Sequence, residues 1–339
     1  MGAESEQTRV LGVEYWLNWQ VGACALIILI PSTVAAAIAA KRIRNKRGGG
    51  RDSDHDDGDG LRRSDLWVPC WSNLSPVWVL VYRVFAMAIM GWILYLMVLF
   101  DGLWSFNFYT IWTLTLLTAY FGVGAIISAQ GCMTYLRSSV EVGETDELLK
   151  NKEGMNGLQE HGCHDKAIGW AGYLGNMMHI TYLTCAGAVL MTDIVFWCVL
   201  VPTQAGIELN LLIISMHSLN AVFLLGDSAL NSIPFGWFGF IYFFLCGAIY
   251  VTSQWILRIR DPRWWPYLFL DLANPWAPLW YLGLTVFHIP CYGIYVVIMK
   301  GKASVCWRLF PNAFVRKKLL GSEKLHSNNI AYPSVGVNS

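Results

Sequence analysis

A threonine at the head of one apolar segment and a histidine inside another, two segments later, are the residues of this chain best suited to chemistry. Thr110 stands in Asn107-Phe108-Tyr109-Thr110-Ile111-Trp112, and His217 in Ile214-Ser215-Met216-His217-Ser218-Leu219-Asn220. A Thr hydroxyl is a poor nucleophile until a base within hydrogen-bond reach takes its proton, and imidazole is the side chain most often used for that. An ionisable ring inside a bilayer costs about 3 kcal/mol or more unless it is paired or wetted, so His217 asks for a role. If both residues face one cavity, they supply a nucleophile and its general base.

The elements that must position them are membrane spans. The hydrophobic fraction is 55% and the charged fraction 14%, and the apolar residues gather in long runs that a soluble core would not need. Seven runs approach the ~20 residues that cross the hydrocarbon: 18–40, 77–100, 108–136, 172–201, 209–226, 235–257 and 279–299. Trp16, Trp19, Trp104, Tyr109, Trp264, Trp265, Trp280 and Tyr281 crowd their ends, as an interfacial belt does. The expected fold is therefore an all-α, polytopic bundle of about seven transmembrane helices. It divides into 1–76 (an amino-terminal span and a linker), 77–299 (a six-span core) and 300–339 (a basic tail). Gly48 to Gly60 reads as a disordered linker by composition.

Lys and Arg set the orientation. They cluster from Lys41 to Arg63, from Arg137 to Lys166 and beyond Lys300, which seven alternating spans place on one side. That side is expected to be cytoplasmic, with the tail in it and the amino terminus outside or lumenal. Arg258, Arg260 and Arg263 go against this pattern. The membrane itself, plasma or endoplasmic reticulum, is not specified. Basic residues beside apolar runs, rather than along one face, do not point to nucleic acid. The nine cysteines are scattered, with no Cys-x-x-Cys pair, and read as small core residues. No cleavable leader is expected, because Glu4, Glu6 and Glu14 precede the first run where a basic region would stand.

Direction gives depth at ~1.5 Å per residue. Asp193, His217 and His288 then fall at similar depths in the outer half, with Thr110 shallower and Glu208 and Asp101 at the rim. Arg83 and Asp227 fall together at the inner ends of their spans and are expected to pair. Each residue has a plainer reading. Thr in a membrane helix usually bonds the carbonyl one turn back, as Thr113, Thr115 and Thr118 are expected to do. His217 would serve equally as an interhelical hydrogen bond, and Asp193 with His288 as a structural pair. His161-Gly162-Cys163-His164 lacks a second ligand pair at zinc spacing, so no metal is expected.

Phe108-Tyr109-Thr110-Ile111-Trp112-x-Leu114 resembles the nucleophile segment of the androgen-induced membrane threonine hydrolases and their rolling-stone-like relatives. Met216-His217-Ser218 resembles that family's histidine motif. Trp264-Trp265-Pro266-Tyr267-Leu268-Phe269-Leu270-Asp271 is similar to the acidic aromatic segment that follows, with Pro and Tyr transposed. Order and spacing agree over residues 77–299; the amino-terminal span and linker are additions, and Ile213 and Ile214 replace polar residues before the histidine. The resemblance implies hydrolysis of lipid esters, in particular fatty acid esters of hydroxy fatty acids, with Thr110 as nucleophile and His217 as base. Asp193, Glu208 or His288 would orient or support the pair, and Asn107, Tyr109 or Asn220 would steady the oxyanion. Membrane lipids are the partners this implies, and no cofactor or metal is called for. The alternative is a non-enzymatic scaffold, signalling or cell-fusion protein of the rolling-stone kind. A transport pathway through Asp193, His217 and His288 is weaker, for want of an inverted repeat.

The orientation has a direct check. Asn73-Leu74-Ser75 is a glycosylation acceptor that this topology keeps in the cytoplasm. Glycosidase treatment of the expressed protein is expected to leave its mass unchanged. A mass shift that Asn73→Gln abolishes would reverse the map.

Overall fold

The computed structural model describes residues 13–48, 61, 63–149, 165–203, 209–260 and 264–314. Seven helical spans are long and apolar enough to cross a membrane: Trp19–Asn45, Pro76–Asn107, Tyr109–Arg137, Gly172–Thr203, Leu211–Leu230, Gly239–Ile259 and Ala277–Leu309. The all-α multi-span architecture is as the hydropathy implies. The boundaries differ by a few residues, except that the helices of the third and seventh spans run on to Leu149 and Leu309. Pro31 and Pro290 sit inside continuous helices.

Local sequence explains where the helices begin. The Ser75 hydroxyl accepts from the amide of Val77 at 3.4 Å, and Pro76 takes the first helical position, where no amide proton is needed. The second span ends at Gly102, whose φ of 62° lies in the left-handed region that glycine tolerates. A single 3₁₀ turn, Gly102–Asn107, then reverses the chain into the third span. Thr113, Thr115 and Thr118 bond the carbonyls of Tyr109, Ile111 and Leu114, as expected of membrane threonines.

The third and fourth spans are the most buried. The fourth packs against the third, sixth and seventh, and the first lies along the sixth and seventh. Small residues allow the close approaches. A Cβ on Gly187 would stand 2.4 Å from the Phe243 ring, so the fourth and sixth spans meet there without a side chain between them.

One end of the bundle is held by buried charge. Arg83 Nε donates to Asp227 at 2.8 Å, and both side chains are fully buried. Arg83 Nη1 also donates to the Leu66 carbonyl at 2.6 Å and to Ser128 Oγ at 2.8 Å. Asp227 further accepts from the Tyr120 hydroxyl and from Asn231 Nδ2 at 2.7 Å. The pairing expected from depth is thus present, inside a larger network. Next to it, Lys302 Nζ donates to the carbonyls of Ser228 at 2.5 Å and Asn231 at 2.8 Å, tying the seventh span to the end of the fifth.

Asp227→Asn leaves Arg83 buried without its counter-charge. Removing one partner of a buried pair costs about 3–5 kcal/mol. The variant is expected to lose several degrees of melting temperature in detergent. The double replacement Arg83→Met, Asp227→Leu should recover part of that loss, and no recovery would mean that Tyr120, Ser128 and Leu66 carry as much as the pair.

Candidate active site

The other end of the bundle encloses a cavity with about 790 Å³ of empty space, mouth included. Its wall is largely apolar, which suits a ligand of lipid character. Thr110, His217 and His288 all line it, from the third, fifth and seventh spans. The three histidine and threonine positions singled out above therefore share one chamber. Ile28 brings the first span into the same wall.

Thr110 differs from the other threonines of its span for a local reason. The helix starts at Tyr109, so Thr110 has no preceding helical turn to bond. The carbonyl four residues back, Phe106, accepts instead from Trp112 Nε1 at 2.8 Å. Thr110 is 8% exposed and sits at the positive end of a long helix dipole, where developing negative charge on oxygen is favoured. Beside it stands Tyr267, whose hydroxyl accepts from the Tyr109 amide at 3.2 Å. Burial pushes the Tyr267 phenol up to about 12, so it stays protonated through neutral pH.

His217 occupies a break in the fifth span. One helix, Leu211–Met216, ends at it, and the next, Leu219–Leu230, begins after Ser218. A break inside a membrane frees backbone groups that must find partners. The His217 carbonyl accepts from Trp197 Nε1 at 3.0 Å, and the Ala221 amide it would otherwise bond donates to Asn220 Oδ1 at 2.7 Å. The imidazole lies flat on Phe196, centroids 3.6 Å apart and planes 2° from parallel. Phe196 and Trp197 reach it from a π-helical turn, Phe196–Leu200, near the end of the fourth span.

Asp193 stands behind His217, Oδ1 3.9 Å from Nδ1. That is too long for a hydrogen bond, and Nδ1 is buried without a hydrogen-bond partner. Asn220 Nδ2 holds Asp193 Oδ1 in place at 2.8 Å. His288 does not pair with Asp193. Its Nδ1 donates to the Leu284 carbonyl at 2.7 Å, which makes Nε2 the acceptor of the neutral ring. Nε2 is buried and unpartnered, in space that a Cβ on Gly247 would close to 2.6 Å. Glu208, His161 and His164 lie outside the described residues.

Of the suggested oxyanion donors, Asn107 Nδ2 gives one proton to the Trp104 carbonyl at 2.8 Å and Asn220 Nδ2 one to Asp193 at 2.8 Å. The Tyr109 hydroxyl lines the cavity, buried and unpartnered. Tyr267 was missed as a donor, although its segment was noticed. Phe196 was missed too, since nothing in Phe196-Trp197-Cys198 marks a π turn. No protein-family model, no curated protein and no solved structure matches the chain.

Proposed function

We propose that this multi-span membrane protein is an intramembrane hydrolase of lipid esters, akin to the membrane threonine hydrolases that its three motifs resemble. The observation that carries the reading is that Thr110 and His217 both line one apolar cavity. Fatty acid esters of hydroxy fatty acids are the substrate class that the resemblance suggests.

In this reading His217 Nε2 takes the proton of Thr110 Oγ1, and Oγ1 attacks the ester carbonyl carbon. The tetrahedral oxyanion takes hydrogen bonds from Tyr267 and Tyr109, both hydroxyls with a proton to give. The ester C–O bond breaks, and His217 returns the proton to the leaving alcohol. Water then attacks the acyl-threonine with His217 as base again, releasing the fatty acid and restoring Thr110. Asp193, fixed by Asn220, is a positioning residue. It closes on the Nδ1 side of the ring as the imidazolium forms, shortening the 3.9 Å gap. His288 Nε2 offers an acceptor deeper in the chamber for a hydroxyl of the ligand. The apolar wall keeps bulk water from the acyl intermediate.

The test is ester turnover by purified wild type and variants at matched levels. Thr110→Ala and His217→Ala are each expected to lower it about a thousandfold or more, and their combination to cost little beyond either one. Thr110→Ser should retain measurable turnover. Tyr267→Phe is expected to cost roughly 10- to 100-fold in kcat, the size of one oxyanion donor. A folded, inserted wild type with no turnover above background would favour the scaffold reading.

A further inference from the structure

The arginines that break the charge asymmetry of the sequence include one with an unusual environment. Among the described residues, nine buried side-chain polar atoms lack a hydrogen-bond partner, and four of them are N–H donors on three neighbouring residues: Gln254 Nε2, Arg258 Nε and Nη1, and Trp265 Nε1. Gln254 is 3% exposed and Trp265 8%. Buried donors without acceptors each cost about 1–3 kcal/mol, so four together, one pair on a cation, need an explanation.

Their placement supplies it. Gly247 and Val251 line the cavity from the sixth span. Gln254 and Arg258 continue the same helical face at steps of three and four residues, roughly 10 Å further along the axis for the seven residues from Val251. The Arg258 guanidinium lies 5.3 Å from the Trp265 ring centroid and 5.9 Å from that of Tyr15. Trp265 is two residues from Tyr267, which lines the cavity. Among the described residues of this region the carboxylate is that of Asp271, and it is engaged by the Tyr15 hydroxyl at 3.3 Å. Burial, and then the Asp271 charge, hold the Tyr15 phenol above its ordinary value against the opposing pull of Arg258 and Trp265, whose donors approach its oxygen without hydrogen-bond geometry.

We propose that Arg258, Gln254 and Trp265 form a site for the carboxylate head group of a single-chain lipid whose hydrocarbon occupies the cavity. The Arg258 charge attracts a carboxylate, and the indole and amide N–H groups complete the acceptor's shell. The proposal extends the lipid-ester reading by naming the charged end of the ligand. It gives a role to one of the arginines that go against the charge pattern of the loops. An ester carrying a free acid group would be held by that group, with its ester bond further down the chamber.

The experiment is equilibrium binding of radiolabelled oleate and oleyl alcohol to the purified full chain in neutral detergent, at a pH that ionises the fatty acid. Wild type is expected to prefer oleate. Arg258→Gln should weaken oleate about tenfold or more and leave oleyl alcohol unchanged, the size expected for a charge-assisted contact. Gln254→Leu and Trp265→Phe should each weaken oleate by roughly threefold to tenfold, and they keep the test readable if Arg258→Gln does not fold. Unchanged oleate binding in all three folded variants, or equal losses for acid and alcohol, would overturn the proposal. Tighter binding of hexadecyl phosphate than of oleate would overturn the carboxylate assignment. Ester turnover plays no part in this readout, so failure of the hydrolase reading would appear separately, in the Thr110 variants.

Discussion

The bundle depends on a cation and an anion that cannot be left alone. Arg83 and Asp227 are both fully buried, and in a low-dielectric interior neither is tolerable without the other. Their contact fixes the second span against the fifth. The further bonds to Leu66, Ser128, Tyr120 and Asn231 bring the pre-span segment, the third span and the start of the fifth-to-sixth connection into the same knot. Lys302 adds the seventh span through backbone carbonyls at the same end. A membrane bundle has little hydrophobic force between its helices, so a fully satisfied polar knot is an efficient way to set their register.

Register at one end leaves freedom at the other. There the fifth span breaks and the fourth widens into a π turn, and the two irregularities face each other. Each frees backbone and side-chain groups that the other satisfies. The Trp197 indole serves the His217 carbonyl, and Phe196 covers the His217 ring. The same irregularities open the space that Thr110, His217 and His288 share. Irregular backbone at membrane depth survives only where protein or a cavity supports it, and here both do.

Much of the architecture was legible in the sequence because hydrocarbon permits few solutions. Seven apolar runs gave seven spans, and direction alone put Arg83 beside Asp227. Depth also put Asp193, His217 and His288 at one level, which is where the cavity lies. The errors came where side-chain competition decides. His288 turned to the Leu284 carbonyl rather than to Asp193, since a carbonyl one turn back is always within reach. Asn107 likewise donates to the carbonyl three residues back, whereas Asn220 reaches across to Asp193 on the fourth span. The break at His217 carries no Gly or Pro, so no residue type announces it. It becomes intelligible only once Trp197 and Asn220 are seen to satisfy the groups it frees.

Arg258 shows how a violated rule can be informative. The positive-inside bias is a statement about many weak preferences, and a few cations on the wrong side are easily set aside as noise. Four unpartnered donors at and around Arg258 turn the exception into a demand for an acceptor. The face of the sixth span that carries Gly247 and Val251 into the cavity carries Gln254 and Arg258 one and two turns further along, beyond the residues that line the chamber. A neutral lipid would leave those donors unsatisfied, and a free anion in water would have no use for the apolar chamber below. A lipid with a charged head satisfies both ends of the site at once.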